Sequence, residues 1–173
     1  PAITEALIER TRHGIFGYTV PYDGYFLSII HWLKNRHSYE VYRNEITFVP
    51  GVVKGIAFAI DAFTKKDDKI IIQPPVYHPF RIVPEALGRQ VVNNPLLLKN
   101  GKYSIDFEGL KRIIAENDCK MLILCSPHNP VGRVWNKDEL KQLAEICYDN
   151  HILVVSDEIH SDLTLPGFRH RPF

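Results

Sequence analysis

The chain has 173 residues, and 21 Lys and Arg against 20 Asp and Glu give it a net charge of +1 at neutral pH. With 45% hydrophobic and 24% charged residues, its composition is that of a globular protein of one domain. The balanced charge excludes electrostatic attraction as a basis for binding nucleic acid or an acidic membrane. No apolar run approaches the roughly 20 residues of a membrane-spanning helix. We therefore expect a soluble protein that binds neither nucleic acid nor a membrane.

The three cysteines, Cys119, Cys125 and Cys147, do not form the pattern of a disulfide framework. Their number is odd, they have no C-x-x-C spacing, and each lies in an apolar stretch. Cysteines of this kind are typical of proteins from reducing compartments. We therefore expect a cytoplasmic protein.

The first 44 residues have helical periodicity. Two apolar faces repeat at the spacing of an amphipathic helix, on either side of a Gly-, Tyr- and Pro-rich stretch at 14–24. The faces consist of Ile3, Leu7 and Ile8, and of Phe26, Ile29, Ile30 and Leu33. The pattern predicts two helices joined by a loop, and we assign residues 1–44 to a helical N-terminal segment.

From residue 45 onward, short aliphatic runs alternate with helical stretches. Helices are predicted at 52–63 and 78–87, after the N-cap residue Asp106, and after the capping-box pair Asn136 and Glu139. Apolar strands separated by helices are typical of a mostly parallel sheet with helices on both faces. The sequence therefore predicts an α/β fold in three layers, αβα, over residues 45–173. Its strands are predicted at 46–49, 69–73, 90–93, 120–125 and 152–156.

The loops that follow four of these strands are rich in Gly, Pro and polar residues. In a parallel sheet, the loops at the carboxyl ends of the strands meet at one edge, and ligands bind there. We therefore expect a binding site formed by these loops. They have the sequences Pro50-Gly51-Val52-Val53, Pro74-Pro75-Val76-Tyr77, Ser126-Pro127-His128-Asn129-Pro130-Val131-Gly132 and Asp157-Glu158-Ile159-His160.

Three of the loops each have a structural and a functional interpretation. Gly51 at the start of a helix either makes a turn or lets a phosphate reach the backbone N–H groups of Val52 and Val53. No Walker A sequence accompanies it. Tyr77 is either a packed loop aromatic or a flat surface for a ligand ring. Asn129 is either a turn residue or a donor to a ligand.

Asp157 is the most informative single residue. A carboxylate at the end of a buried apolar strand loses solvation unless it meets a cation or a strong donor. It is alternatively a helix N-cap, or part of a D-E-x-H sequence that binds Mg²⁺ in NTPases, although that function also requires a Walker A loop. Asp157, Glu158, His160 and Asp162 have the side-chain types of a metal site, but not a known ligand spacing.

Taken together, the loops fit a ligand with a phosphate, a flat ring, a phenolic oxygen and a basic ring nitrogen. Pyridoxal 5′-phosphate (PLP) has all four groups. Its chemistry depends on a protonated ring nitrogen, and a buried aspartate supplies the charge that pairs with it. We expect Asp157 to take that position. Asn129 would donate to the phenolic oxygen, His160 would lie nearby, and Tyr77 would stack on the ring.

Five motifs in this order resemble the large domain of fold-type I PLP enzymes. The resemblance is to the MalY/PatB-like branch of carbon–sulfur β-lyases, the cystathionine β-lyases, within the class I and II aminotransferases. It extends over essentially the whole chain. The motifs are Phe16-Gly17-Tyr18, Pro50-Gly51-Val52-Val53, Gln73-Pro74-Pro75-Val76-Tyr77, Cys125-Ser126-Pro127-His128-Asn129-Pro130-Val131-Gly132 and Val155-Ser156-Asp157-Glu158-Ile159-His160.

The resemblance implies roles for several of these positions. The backbone amides of Val52 and Val53 would bind the cofactor phosphate, and Tyr77, Asn129 and Asp157 would contact the ring as described above. His160 stands where many relatives have a tyrosine near the phenolic oxygen.

Tyr18 matches a tyrosine that reaches the phosphate of the other subunit in a homodimer, so the resemblance implies a homodimer. Pro75 and Pro130 match positions whose peptide bonds are often cis.

The reaction implied by the resemblance is elimination from a sulfur-containing amino acid, which yields a thiol, pyruvate and ammonia. Transamination on the same cofactor is the alternative. The family uses a Schiff-base lysine that follows a serine by two or three residues, and none of the eleven lysines here does so. We therefore interpret the chain as less than half of an enzyme, truncated before that lysine and inactive alone.

The resemblance also leads to a prediction about the first predicted strand. In the family, this strand pairs with one that follows the lysine. We therefore predict that residues 46–49 do not pair with the main sheet, unless another chain fills the gap.

Two interpretations from other classes remain open. The Gly51 loop would also serve a phosphate- or nucleotide-binding module without catalysis. Alternatively, the chain is a dimerising fragment whose site stays empty.

Overall fold

The computed structural model describes all 173 residues, which form two units, Pro1–Ile46 and Thr47–Phe173. None of the helices combines the length and the apolar character needed to cross a bilayer. The helices are α1 (Ala2–His13), α2 (Asp23–Trp32), α3 (Val52–Phe63), α4 (Pro79–Ala86), α5 (Phe107–Glu116) and α6 (Lys137–Asp149). The strands are β1 (Lys69–Ile72), β2 (Gln90–Asn93), β3 (Leu97–Lys99), β4 (Lys102–Ser104), β5 (Cys119–Cys125) and β6 (Leu153–Asp157).

The N-terminal unit contains α1 and α2, a π-helical turn at Leu33–His37 and a 3-10 turn at Arg43–Glu45. The amphipathic pattern correctly predicted both helices. However, α1 has no buried residue, and Phe26 is the only buried residue of α2.

The second unit is built on a four-stranded, all-parallel sheet with the strand order β2-β1-β5-β6. Side chains of β5 alternate between the two faces of the sheet. Met121 and Ile123 belong to a cluster with the buried side of α3 and α4, and Leu122 and Leu124 to a cluster with α5 and α6. The predicted αβα class is therefore confirmed.

The predicted caps of two helices are present. Asp106 Oδ1 accepts a hydrogen bond from the backbone N–H of Gly109 at 2.9 Å and caps α5. Asn136 Oδ1 accepts from the N–H groups of Asp138 and Glu139, and Glu139 Oε2 accepts from the N–H of Asn136. This capping box fixes where α6 begins.

The predicted strand at 46–49 is wrong, because these residues form no strand. An aliphatic run becomes a strand only when a neighbouring strand supplies hydrogen-bond partners, and this run has none. The prediction that 46–49 does not pair with the main sheet is confirmed.

A short hairpin was missed by the sequence analysis. Strands β3 and β4 pair antiparallel and form a separate two-stranded sheet. Asn100 and Gly101 connect them with positive φ angles of 50° and 74°. The signal was present in the sequence, since Asn-Gly is the preferred dipeptide of such turns.

Candidate functional site

A cavity of about 340 Å³ lies at the carboxyl edge of the sheet in the second unit. Six of the seven residues predicted for the site line it. Two further lining residues, Cys125 and Ile159, were not predicted. The complete lining is Val52, Val53, Tyr77, Cys125, Asn129, Asp157, Ile159 and His160.

The seventh predicted residue, Tyr18, belongs to the N-terminal unit. It lies between α1 and α2, in a stretch without regular secondary structure, and its side chain is fully exposed.

The N-terminus of α3 faces this cavity without a side-chain cap. Its N-cap residue is Gly51, which has a φ of 105° that other residues rarely adopt. The N–H groups in the first turn of a helix have no partner within the helix, and they form its positive end. Val52 and Val53 therefore offer backbone donors to an anion.

A backbone hydrogen bond joins two of the predicted ligand-binding residues. The N–H of Tyr77 donates to the carbonyl oxygen of Asn129 at 3.1 Å. Both residues lie in loops with cis prolines. The Pro74-Pro75 and Asn129-Pro130 bonds are cis as the resemblance implied, and Ser126-Pro127 is also cis, which was not expected.

The ring of Tyr77 is half-buried and is held by edge-on contacts. Its centroid lies 5.0 Å from that of His78 and 6.4 Å from that of Phe80. Phe80 is fully buried in the core, so the tyrosine ring is anchored on one side. Its place in the cavity lining shows that part of its surface is available to a flat ligand.

Asp157 ends β6 and is only 7% exposed. Its Oδ1 accepts a hydrogen bond from the N–H of Ile159 at 3.1 Å, and no cationic side chain forms an ion pair with it. Burial raises the pKa of this carboxyl group above its usual value of 3.8. No helix starts after Asp157, so it is not a helix N-cap. Nearby His160 offsets this effect of burial only in part, so the carboxylate is a buried acceptor without an ion-pair partner.

Glu158 has a different environment from its neighbour Asp157. Its carboxylate accepts hydrogen bonds from Ser156 Oγ at 2.8 Å and the N–H of Phe173 at 2.9 Å. It also lies 2.9 Å from Nε2 of the buried His170. These contacts hold Glu158 outside the cavity. No group of three His, Cys, Asp or Glu side chains forms a set that could hold a metal ion.

A larger cavity, of about 700 Å³, adjoins the first one. The two share Asn129 and His160 as lining residues. Leu163, Leu165 and Phe168 contribute apolar surface to the larger cavity.

Comparison with known proteins places these features in a family. Residues 1–172 match the family described as Aminotransferase class I and II. The chain belongs to this family.

One curated relative of the chain is the cystathionine beta-lyase PatB of Bacillus subtilis (strain 168). It is 49% identical over 172 residues, and the match covers 99% of this chain and 44% of PatB. The chain therefore spans less than half the length of this curated relative.

Two solved structures are also similar to this chain. Cystalysin from Treponema denticola, which contains a pyridoxal 5′-phosphate cofactor, has a TM-score of 0.94 at 38% identity. The PLP-bound C-S lyase from Staphylococcus hominis has a TM-score of 0.95 at 32% identity. The matches cover 99% and 98% of this chain, and 44% of each of the solved chains.

Proposed function

We propose that this chain forms the PLP-binding part of a carbon–sulfur β-lyase of the cystathionine β-lyase type. The observation that carries the proposal is the buried carboxylate of Asp157, which forms no ion pair and lines the same cavity as the uncapped N-terminus of α3. An anion-binding helix end and an uncompensated carboxylate fit a ligand with a phosphate at one end and a cationic ring nitrogen at the other.

The lining residues suit separate parts of PLP. Val52 and Val53 would donate their backbone N–H groups to the phosphate. Tyr77 would cover one face of the ring, and Asn129 would donate its side-chain amide to the phenolic oxygen. His160 would lie beside Asn129, at the entrance to the larger cavity.

Asp157 would hold a proton on the ring nitrogen of the cofactor. With that proton in place, PLP supplies an electron sink for reactions at the α-carbon of an amino acid. The low exposure of Asp157 strengthens this charge pairing, because little solvent screens it.

The names of the relatives support the substrate class. PatB is named a cystathionine beta-lyase, and the Staphylococcus hominis protein is named a C-S lyase. We infer the same reaction here. The Cα proton and the thiolate leave as the Cβ–S bond breaks and together make the thiol, and water converts the remaining fragment to pyruvate and ammonia. Transamination, for which the family is named, is the second candidate.

The chain by itself would bind the cofactor without completing this reaction. No lysine lines the 340 Å³ cavity, and none of the eleven lysines follows a serine by two or three residues. We propose that the lysine that acts as general base belongs to a part of the protein outside these 173 residues.

Two further proposals concern the setting of the protein. The exposed Tyr18 supports a homodimer in which this side chain reaches the cofactor phosphate of the other subunit. The three cysteines are buried and free, which supports a reducing compartment such as the cytoplasm.

The binding proposal is tested by titrating PLP into the full-length protein that carries this chain. We expect saturable binding, seen as a visible absorption band, and at least tenfold weaker binding by D157N, because the neutral amide cannot pair with a cationic nitrogen. D149N, at an exposed position of α6, should bind like the wild type. ATP that binds as tightly as PLP would favour the nucleotide-binding alternative, and no PLP binding would overturn the proposal.

The reaction is tested with L-cystathionine. A lyase releases thiol and pyruvate in equal amounts without an added keto acid. An aminotransferase instead requires a keto acid that accepts the amino group. Keto-acid-dependent turnover without thiol release would replace the lyase proposal with the aminotransferase.

A further inference from the structure

The peptide groups of Asn129 are held on both sides. Its N–H donates to Sγ of Cys125 at 3.2 Å, and its carbonyl oxygen accepts from the N–H of Tyr77 at 3.1 Å. Asn129 lines the cavity, and its side-chain amide makes no hydrogen bond within the chain. The backbone is thus fixed by its neighbours, while the side chain stays available to a ligand.

Cys125 is itself held in place. It is 3% exposed and ends β5, where it is the register partner of Asp157 on β6. Its carbonyl oxygen accepts from Nε1 of Trp135 at 2.9 Å, and its thiol donates to the carbonyl oxygen of Pro127 at 3.5 Å. The sulfur therefore has a fixed position from which it supports the turn that carries Asn129.

We propose that Cys125 is a positioning residue, whose thiol sets the orientation of Asn129 toward the phenolic oxygen of the cofactor. The inference rests on the proposed function, and it concerns a residue that the sequence analysis did not place in the site. Cys125 acts through Asn129: it accepts the N–H that would otherwise be buried without a partner.

The chemical state of the thiol fits this role. Donation to Pro127 requires the sulfur to keep its proton. Burial raises the pKa of Cys125 to about 11, so the group remains a neutral thiol at physiological pH. A thiolate in the same place would add a second negative charge beside Asp157 and could not donate to Pro127.

Cys147 offers a matched control in the same chain. It is also a free, buried cysteine, with 1% exposure, and burial raises its pKa to about 12. It lies on α6 within the cluster on one face of the sheet and does not line the cavity. Removing either thiol deletes the same buried atom, but only Cys125 supports Asn129.

The experiment compares C125A, C125S and C147A in the full-length protein. We expect C125A to weaken PLP binding by about three- to tenfold, as for the loss of one hydrogen bond. C125S should recover part of this loss, because a hydroxyl also accepts and donates. C147A should bind PLP like the wild type.

A spectroscopic readout separates positioning from general stability. A donor to the deprotonated phenolic oxygen favours the deprotonated form, so a misplaced Asn129 should move the pH midpoint of the bound-PLP absorption band upward. We expect this shift in C125A, a smaller shift in C125S and none in C147A. In an N129A background, C125A should add no further shift.

Each outcome decides the inference. C125A and C147A with equal PLP affinities and equal midpoints would overturn it, as would a C125A shift of the same size in the N129A background. If C125A does not fold, an unshifted C125S with wild-type affinity beside a shifted N129A would overturn it. A wild-type protein that binds no PLP would instead overturn the proposed function.

Discussion

The interior of the parallel sheet and its carboxyl edge differ in whether their buried groups have partners within the chain. In the interior, Leu122 and its neighbours on β5 are fully buried between two apolar clusters. At the edge, Asp157 is buried without a counter-charge, and α3 begins at Gly51 without a cap. Stability is therefore concentrated in the interior, whereas the edge leaves polar groups unsatisfied where a ligand can complete them.

The largest expected effect tests the interior. Leu122→Ala leaves a cavity in the middle of β5, and we expect the free energy of unfolding to fall by about 2–5 kcal/mol. Leu98→Ala, at an exposed position of β3, should change it by less than about 0.5 kcal/mol. Urea denaturation measures both. Similar losses for the two variants would show that β5 is not the centre of the stability of this unit.

His128 lies where the sheet interior meets the carboxyl edge. It is buried beside Trp135 in the loop after β5. Burial lowers its pKa from 6.5 to about 4, and the backbone of Gln73 opposes this shift only in part. The unfolded state therefore binds more protons between these pH values, so stability should fall as the pH decreases from 6.5 to 4, by up to about 3 kcal/mol. H128Q should lose this part of the pH dependence, and an unchanged slope would contradict the assignment.

Gly51→Ala tests whether the backbone conformation at the carboxyl edge of the sheet is needed for PLP binding. An alanine there would keep a φ of 105°, at a cost of about 1–3 kcal/mol, although its Cβ would meet no atom within 4 Å. Gly101→Ala provides the same kind of strain in the β3–β4 turn. We expect both variants to be less stable, but only G51A to bind PLP more weakly. If G51A and G101A bound PLP with equal affinity, the N-terminus of α3 would not be the phosphate-binding site.

The smallest expected effect is a gain in the free energy of unfolding, whereas Leu122→Ala and Gly51→Ala should reduce it. The raised pKa of Asp157 means that its carboxylate is less stable folded than unfolded, so the stability contributed by this group declines as the pH rises above 3.8. D157N retains an oxygen that accepts from Ile159 and removes the charge. We expect the ligand-free D157N protein to gain about 0.5–1 kcal/mol of stability at neutral pH. A loss of stability would show that Asp157 is already compensated within the chain.

Local patterns were sufficient wherever the cause of a structure lies in neighbouring residues. The caps at Asp106 and Asn136 were predicted because a capping side chain acts on N–H groups two or three residues away. The helix at 78–87 was predicted despite Pro84, and the structure has it as α4. The run at 46–49 failed for the opposite reason, since a strand depends on a partner from elsewhere.

The site shows the same division. Asp157 could be selected from sequence because a carboxylate that ends an apolar strand is unusual. Cys125 and Ile159 gave no such signal, because an aliphatic or thiol side chain at a strand end is also an ordinary core residue. The hydrogen bond between Asn129 and the sulfur of Cys125 depends on the shape of the turn between them.

The sequence by itself determined the order of the six helices and of the four strands of the parallel sheet, the αβα class and the loops that carry the polar residues, because periodicity and capping are local. Only the tertiary structure decided that six predicted residues share one cavity, that Glu158 is held outside it while Asp157 is buried within it, and that a cysteine supports Asn129. Those facts depend on how distant strands align in the sheet and which way each side chain faces, and no local pattern encodes them.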